Sequence, residues 1–209
     1  MSDLKIGRMV IGIYSTNCYF LYHENRKECI VIDPADAGEK IYEALSKKGF
    51  SIQAIFLTHG HFDHIWGAKA LQQSAGVKIY ALEEEKALCE DARLNVSEGA
   101  GRAYTLTPDI CVKDGEEITL ADITCKVIAT PGHTAGSCCY YFEDAGYLVC
   151  GDSVFLESVG RTDLPTGSNS QLIRSIREKI FTLPDQVLLY PGHGDSTSVE
   201  HEKQYNPYV

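Results

Sequence analysis

Thr58-His59-Gly60-His61-Phe62-Asp63-His64 puts three imidazoles and a carboxylate within six residues. Immediately upstream, Ile52 to Leu57 reads as a buried strand. Downstream, Ile65, Ala68, Leu71 and Gln72 recur with helical period until Gly76. The polar cluster therefore sits on a strand-to-helix loop. His59 and His61 are two apart and face one way in extended chain, while Asp63 and His64 open the helix and can point at a second position nearby. Packing does not account for that density of metal-ligating side chains; two adjacent metal positions do.

Three more stretches have the same character. Thr130-Pro131-Gly132-His133-Thr134, Cys150-Gly151-Asp152-Ser153 and Tyr190-Pro191-Gly192-His193-Gly194 each follow a predicted strand. Turn-forming residues there leave one ligand-type side chain at the rim of a sheet, where rigid strands hold site-building loops. Taken singly each has an ordinary explanation: Asp63 as a helix N-cap, Asp152 as a turn cap, Pro-Gly-His as a common turn. Together, four strand ends presenting imidazole or carboxylate favour a metal centre. Five of the seven His lie in these motifs; the other two, His23 and His201, read as surface residues.

Working outward, residues 4–12, 17–23 and 28–33 read as strands, Ala37 to Lys48 as a helix stopped by Gly49, Val77 to Ala81 as a strand and Glu83 to Glu90 as an acidic helix. Residues 91–108 carry no pattern. Strands return at 117–120, 123–129, 137–142 and 147–150, the last two joined by a Glu143-to-Gly146 hairpin turn. Gln171 to Phe181 reads as a helix, Val187 to Tyr190 as a strand and Val199 to Gln204 as a last helix. Two runs of strands, each followed by helices, predict two packed sheets with helices outside, and the length favours a single domain over 1–209.

Composition narrows the partners. With 19 Lys plus Arg against 29 Asp plus Glu, the net charge of −10 disfavours nucleic acid and anionic membrane. The longest apolar runs, Cys18 to Tyr22 and Cys138 to Phe142, are far shorter than the roughly 18 residues of a membrane span. The N-terminus lacks the pattern of a secretory leader, so a cytoplasmic location and a small-molecule substrate are expected. The eight Cys have irregular spacing and read as free thiols, with Cys18, Cys29 and Cys150 in the core.

The His-x-His-x-Asp-His run followed by His, Asp and His at strand ends resembles the metallo-β-lactamase superfamily, from Thr16-Asn17-Cys18-Tyr19 to Asn206-Pro207-Tyr208. That resemblance implies an α+β fold, a four-layer αββα sandwich with the metal site at one edge between the sheets. It also implies His59, His61 and His133 on one metal, Asp63, His64 and His193 on a second, and Asp152 bridging them. Gly151-Asp152-Ser153-Val154-Phe155, Gly160-Arg161-Thr162-Asp163-Leu164 and Pro191-Gly192-His193-Gly194 look like the glyoxalase II group of thioester hydrolases. The Gly-Arg-Thr-Asp run also occurs in persulfide dioxygenases. Long glyoxalase II enzymes carry a C-terminal helical domain that contacts glutathione, whereas 16 residues follow His193 here, leaving the carrier thiol open.

The expected activity is that of a binuclear metal-dependent hydrolase acting on a thioester such as a 2-hydroxyacyl thiol, with two divalent ions, zinc first and iron or manganese as alternatives. Metal-activated hydroxide at neutral pH is the expected nucleophile, with Asp63 holding its proton. A thiol of pKa about 8.5 departs without a general acid. Arg161 and Tyr190 are the candidate substrate contacts; the competing readings are an Arg161–Asp163 pair pinning its loop, and a core Tyr. The alternatives in function are a mononuclear iron persulfide dioxygenase on His59, His133 and Asp152, and a non-catalytic metal-binding module.

Overall fold

The computed structural model describes residues 3–209; Met1 and Ser2, part of the stretch read for a leader, lie outside them. β1 (Leu4–Ile11), β2 (Thr16–His23), β3 (Glu28–Ile32), β4 (Ser51–Phe56), β5 (Lys78–Leu82) and β6 (Ile110–Val112) form one sheet in chain order. Its first three strands run antiparallel and β3 to β6 parallel, the latter connected through α1 (Gly38–Lys47), α2 (Phe62–Ile65), α3 (Ala68–Ala75) and α4 (Lys86–Cys89). Parallel strands joined by helices are covered on both faces, which explains why β3 is apolar at successive positions. Ile30 and Ile32 face the second sheet, while Cys29 and Val31 face Ile41, Leu45 and Leu71 of the helices.

The second sheet begins with β7 (Glu117–Leu120), β8 (Ile123–Ala129), β9 (Cys138–Phe142) and β10 (Tyr147–Gly151). A short hairpin, β11 (Val154–Phe155) and β12 (Ser158–Val159), precedes α5 (Asn169–Ser175), and β13 (Leu188–Pro191), β14 (Thr197–Ser198) and α6 (Val199–Tyr205) close the chain. The sheet order is β14-β13-β10-β9-β8-β7. Leu172, Ile176, Ile180 and Val199 cover its outer face. Between the sheets lie Tyr19, Leu21 and Phe56 from one and Cys125, Tyr140 and Phe142 from the other, with the Phe56 and Tyr140 rings 4.9 Å apart. The layers are therefore helix, sheet, sheet, helix, the expected αββα sandwich.

The differences from expectation are local. The single helix expected from Ile65 to Gly76 is broken at Trp66–Gly67. A Cβ on Gly67 would stand 2.4 Å from the Pro34 carbonyl oxygen, which accepts the Gly67 amide at 2.9 Å, so the chain turns there to pack against the 34–36 backbone. The helix expected from Gln171 starts at Asn169 and passes into a π-helical turn over Ile176–Ile180. Strands β6, β11, β12 and β14 were not expected. Seven of the eight free Cys are buried and Cys111 is exposed. No helix among the described residues is long and apolar enough to cross a membrane.

Candidate metal centre

Strand direction decides which side chains meet. β9 is antiparallel to both β8 and β10, and β10 is parallel to β13, so the C-terminal ends of β8, β10 and β13 share one edge. From that edge come His133, Asp152 and His193, and the loop after β4 delivers His59, His61, Asp63 and His64 to the same place. Ligand-type atoms of His59, His61 and His133 lie within 4.8 Å of one another, as do those of Asp63, His64 and His193 and those of His59, His64 and Asp152. Asp152 stands between the first two groups: its Oδ1 is 3.3 Å from His64 Nε2, and its Oδ2 is 3.6 Å from both His133 Nε2 and His193 Nε2. All seven sequence-derived candidates thus converge.

The imidazole orientations are fixed from behind. His133 Nδ1 donates to the Arg161 carbonyl at 2.7 Å, His193 Nδ1 to the Tyr14 carbonyl at 3.1 Å and His64 Nδ1 to Asp33 Oδ2 at 2.9 Å. Each ring therefore turns its Nε2 inward, the arrangement in which a ligating His is held by its other nitrogen. His61 Nδ1 faces His133 Nε2 at 2.9 Å. His59 Nε2 and His61 Nε2 are buried with no hydrogen-bond partner, and buried Asp152 Oδ1 faces only His64 Nε2. Inward-facing lone pairs without donors are costly in a packed interior unless a cation gathers them. The donor set of imidazoles and carboxylates fits divalent zinc, iron or manganese.

Electrostatics say the same. Burial, reinforced by the neighbouring imidazoles, pushes His59 well down, and burial with His133 pushes His61 down to about 3, leaving both as neutral donors. Burial opposes charge on His64, but Asp152, Asp63 and Asp33 outweigh it and draw its pKa well above the usual value. Burial likewise works against ionised Asp63 and Asp152, yet the His64 charge holds both carboxyls below their ordinary range. Carboxylates that hold a proton on His64 present the same negative field to a cation.

Close approach is built into the last motif. A Cβ on Gly192 would lie 2.2 Å from Asp152 Oδ1 and 2.6 Å from His64 Cε1, so only glycine lets this loop carry His193 past them. Asn17, in the first of the motifs resembling the superfamily, clamps that loop: its Nδ2 donates to the Pro191 and Gly194 carbonyls at 2.9 Å each, and its amide to Gly192 O at 2.7 Å.

Two supporting carboxylates escaped the sequence reading. Asp33, at the end of the strand expected over 28–33, accepts from the Thr58 amide and hydroxyl at 2.8 and 2.6 Å as well as from His64. Glu85, 1% exposed, accepts from the Gly60 amide (2.7 Å), the Gly136 amide (2.9 Å) and the Thr134 hydroxyl, tying the His59–His61 loop to the His133 loop. The available signal was positional: Glu85 shares a helical stripe with buried Leu88 and Cys89.

Arg161 lines the cleft over the donor groups, and its Nε and Nη2 donate to Asp163 at 2.7 Å each. Tyr190 does not line that cleft. Its ring packs edge-on to Tyr19 and Tyr147, 5.7 and 5.4 Å away, because β13 turns it toward the inter-sheet core, and the expected substrate contact gives way to packing. Trp66 is buried. His23 and His201 are paired rather than free, with Asp3 at 2.6 Å and Glu157 at 3.0 Å.

An αββα sandwich with converging His and Asp groups at one edge defines a metal-centre protein. The sequence model of the Metallo-beta-lactamase superfamily matches residues 11–193, and the chain belongs to that superfamily. It is 36% identical over 209 residues to the probable metallo-hydrolase YqgX of Bacillus subtilis, covering 99% of this chain and 98% of the relative. It is 30% identical over 209 residues to the hydroxyacylglutathione hydrolase GloC of Haemophilus influenzae, with coverages of 99% and 98%. Among solved structures, the BLEG-1 B3 metallo-beta-lactamase superposes with a TM-score of 0.93 at 34% identity, covering 98% of this chain and 99% of that one. TTHA1623 in a di-iron-bound form superposes at 0.87 with 28% identity, covering 97% and 100%.

Proposed function

We propose that this protein is a metal-dependent thioester hydrolase with a two-ion centre, one ion held by His59, His61 and His133, the other by Asp63, His64 and His193, and Asp152 shared. The observation that carries this reading is the convergence of seven His and Asp side chains in which the buried, inward-facing His59 Nε2 and His61 Nε2 have no partner. Divalent ions held there supply Lewis acidity and bring the pKa of water down to about 7. Asp63, whose Oδ2 lies 3.3 Å from His193 Nε2 and which lines the cleft, would hold the proton of the attacking water and aim its lone pair at the substrate carbonyl. Among the described residues the cleft lining holds no Lys or Cys, and its one Tyr, Tyr14, packs its ring edge-on against Phe62. A leaving group that departs without a proton suits such a site, and a thiolate does so where an alkoxide or amine does not. The likeness to a hydroxyacylglutathione hydrolase supports the same class.

The likeness to a di-iron protein keeps iron beside zinc as the resident metal, and with iron the persulfide dioxygenase reading. Metal analysis of protein purified without chelator from medium supplied with zinc and iron separates them. Two ions per chain with thiol release from acyl thioesters supports the hydrolase; one iron per chain with oxygen uptake on a persulfide, and no thioester turnover, overturns it.

A further inference from the structure

The cleft over the donor groups encloses about 520 Å³, the size of a small-molecule site. Tyr14, Phe62, Val96, Phe155, Val159 and Leu164 wall it. They arrive from separate segments: the β1–β2 turn, the start of α2, the 91–102 loop, the β11–β12 hairpin and the loop that follows. Tyr14 stands edge-on to Phe62 with ring centres 5.2 Å apart. Val96 is the most telling. Its φ of +67° is a conformation that a β-branched residue rarely adopts. Buried Asn95 and Ser97 flank it, the Asn95 side chain accepting from the Ser97 amide at 3.0 Å and the Asn95 carbonyl from the Phe62 amide at 3.1 Å. Strain of this kind persists where the surroundings over-determine it, and here it turns an isopropyl group into the cleft.

The charges point the same way. Among the described residues Arg161 is the one Lys or Arg lining the cleft, and both oxygens of Asp163 already occupy its guanidinium. Arg93, on the Val96 loop, pairs with Glu98 at 3.3 Å. Away from the donor groups a substrate therefore meets mainly apolar walls, the uncharged hydroxyls of Tyr14 and Ser158 and a neutralised cation. We propose that the cleft selects thioesters carrying an apolar, uncharged acyl group on a thiol without carboxylates. The inference rests on the thioester reading above and adds the substrate class to it.

The test is a kcat/KM series for acetyl, butanoyl and hexanoyl thioesters of N-acetylcysteamine, a neutral thiol, and of glutathione, with the metal-loaded protein. Each added methylene should raise kcat/KM about fourfold until the cleft is filled, and the glutathione esters should be no better than the neutral ones. A flat acyl series, or a tenfold preference for glutathione, overturns the proposal. Asp163→Asn, which frees Arg161, should raise the glutathione-to-neutral ratio between about 1.5- and 5-fold, the range of an exposed ion pair; an unchanged ratio refutes the neutralised-cation argument. If no thioester is turned over, the hydrolase reading fails, and calorimetry with the matching non-hydrolysable alkyl thioethers still decides this one: affinity rising with chain length upholds it and chain-length-independent binding overturns it.

Discussion

Replacing Glu85 by Gln tests whether a buried carboxylate ties the two ligand loops together. Burial is the largest influence on this group and outweighs the donors from Gly60, Thr134 and Gly136, raising its pKa from an ordinary 4.5 to about 7. A carboxyl whose folded pKa is raised stabilises the fold fully below its unfolded value and loses that contribution as pH climbs through the folded value. Between pH 5 and pH 8 the wild-type protein should lose roughly 2.5 kcal/mol through Glu85 alone, while the Gln variant loses none from this position. At pH 8 the variant also forfeits a hydrogen bond to a charged acceptor, roughly 1.5–3 kcal/mol, and turns an amide N–H toward the Gly60 or Gly136 amide. The two effects nearly offset there, so Glu85→Gln should cost little at pH 8 and about 2.5 kcal/mol more at pH 5. Urea unfolding of both proteins at several pH values, with chelator present so that metal release does not enter, measures the difference. Parallel stability curves would refute a Glu85 that titrates in this window.

Other perturbations address the centre itself. Asp33→Asn removes the acceptor that orients His64 and should weaken metal binding 10- to 100-fold in chelator competition, with little change in secondary structure by circular dichroism. Gly192→Ala drives a methyl group into Asp152 and His64; we expect it to destabilise the fold by about 1–3 kcal/mol and to lower metal content as measured by elemental analysis. Chelation of the wild-type protein should lower Tm by on the order of 10 °C and stoichiometric zinc should restore it, since ligand bound only to the native state stabilises by mass action; a Tm indifferent to metal would contradict a centre built from these seven residues.

What the sequence disclosed and what it hid divide along one physical line. Strands β7 and β8 were legible to the residue because Ile118, Ile123, Cys125 and Val127 repeat on the face that the inter-sheet core covers. The seven candidate donors stand out because one stretch concentrates four of them, Pro-Gly turns mark His133 and His193, and Asp152 follows a glycine at a strand end. β11, β12 and β14 were not: two residues each carry no period, and partners across the sheet define them. Asp33 and Glu85 were hidden for a related reason. A carboxylate chosen for donors 25 and 51 residues away leaves no local pattern, only a polar side chain in a place that folding makes buried. Val96 is the sharpest case, since neither its strained backbone nor its position over the centre can be read from a loop without periodicity. Candidate donors can thus be singled out from sequence, while the groups that orient them and the walls of the cleft depend on contacts only the fold creates. Substitutions in the 91–108 loop and in the segment around Val159 and Leu164 should therefore change the cleft walls without touching the His and Asp groups beneath.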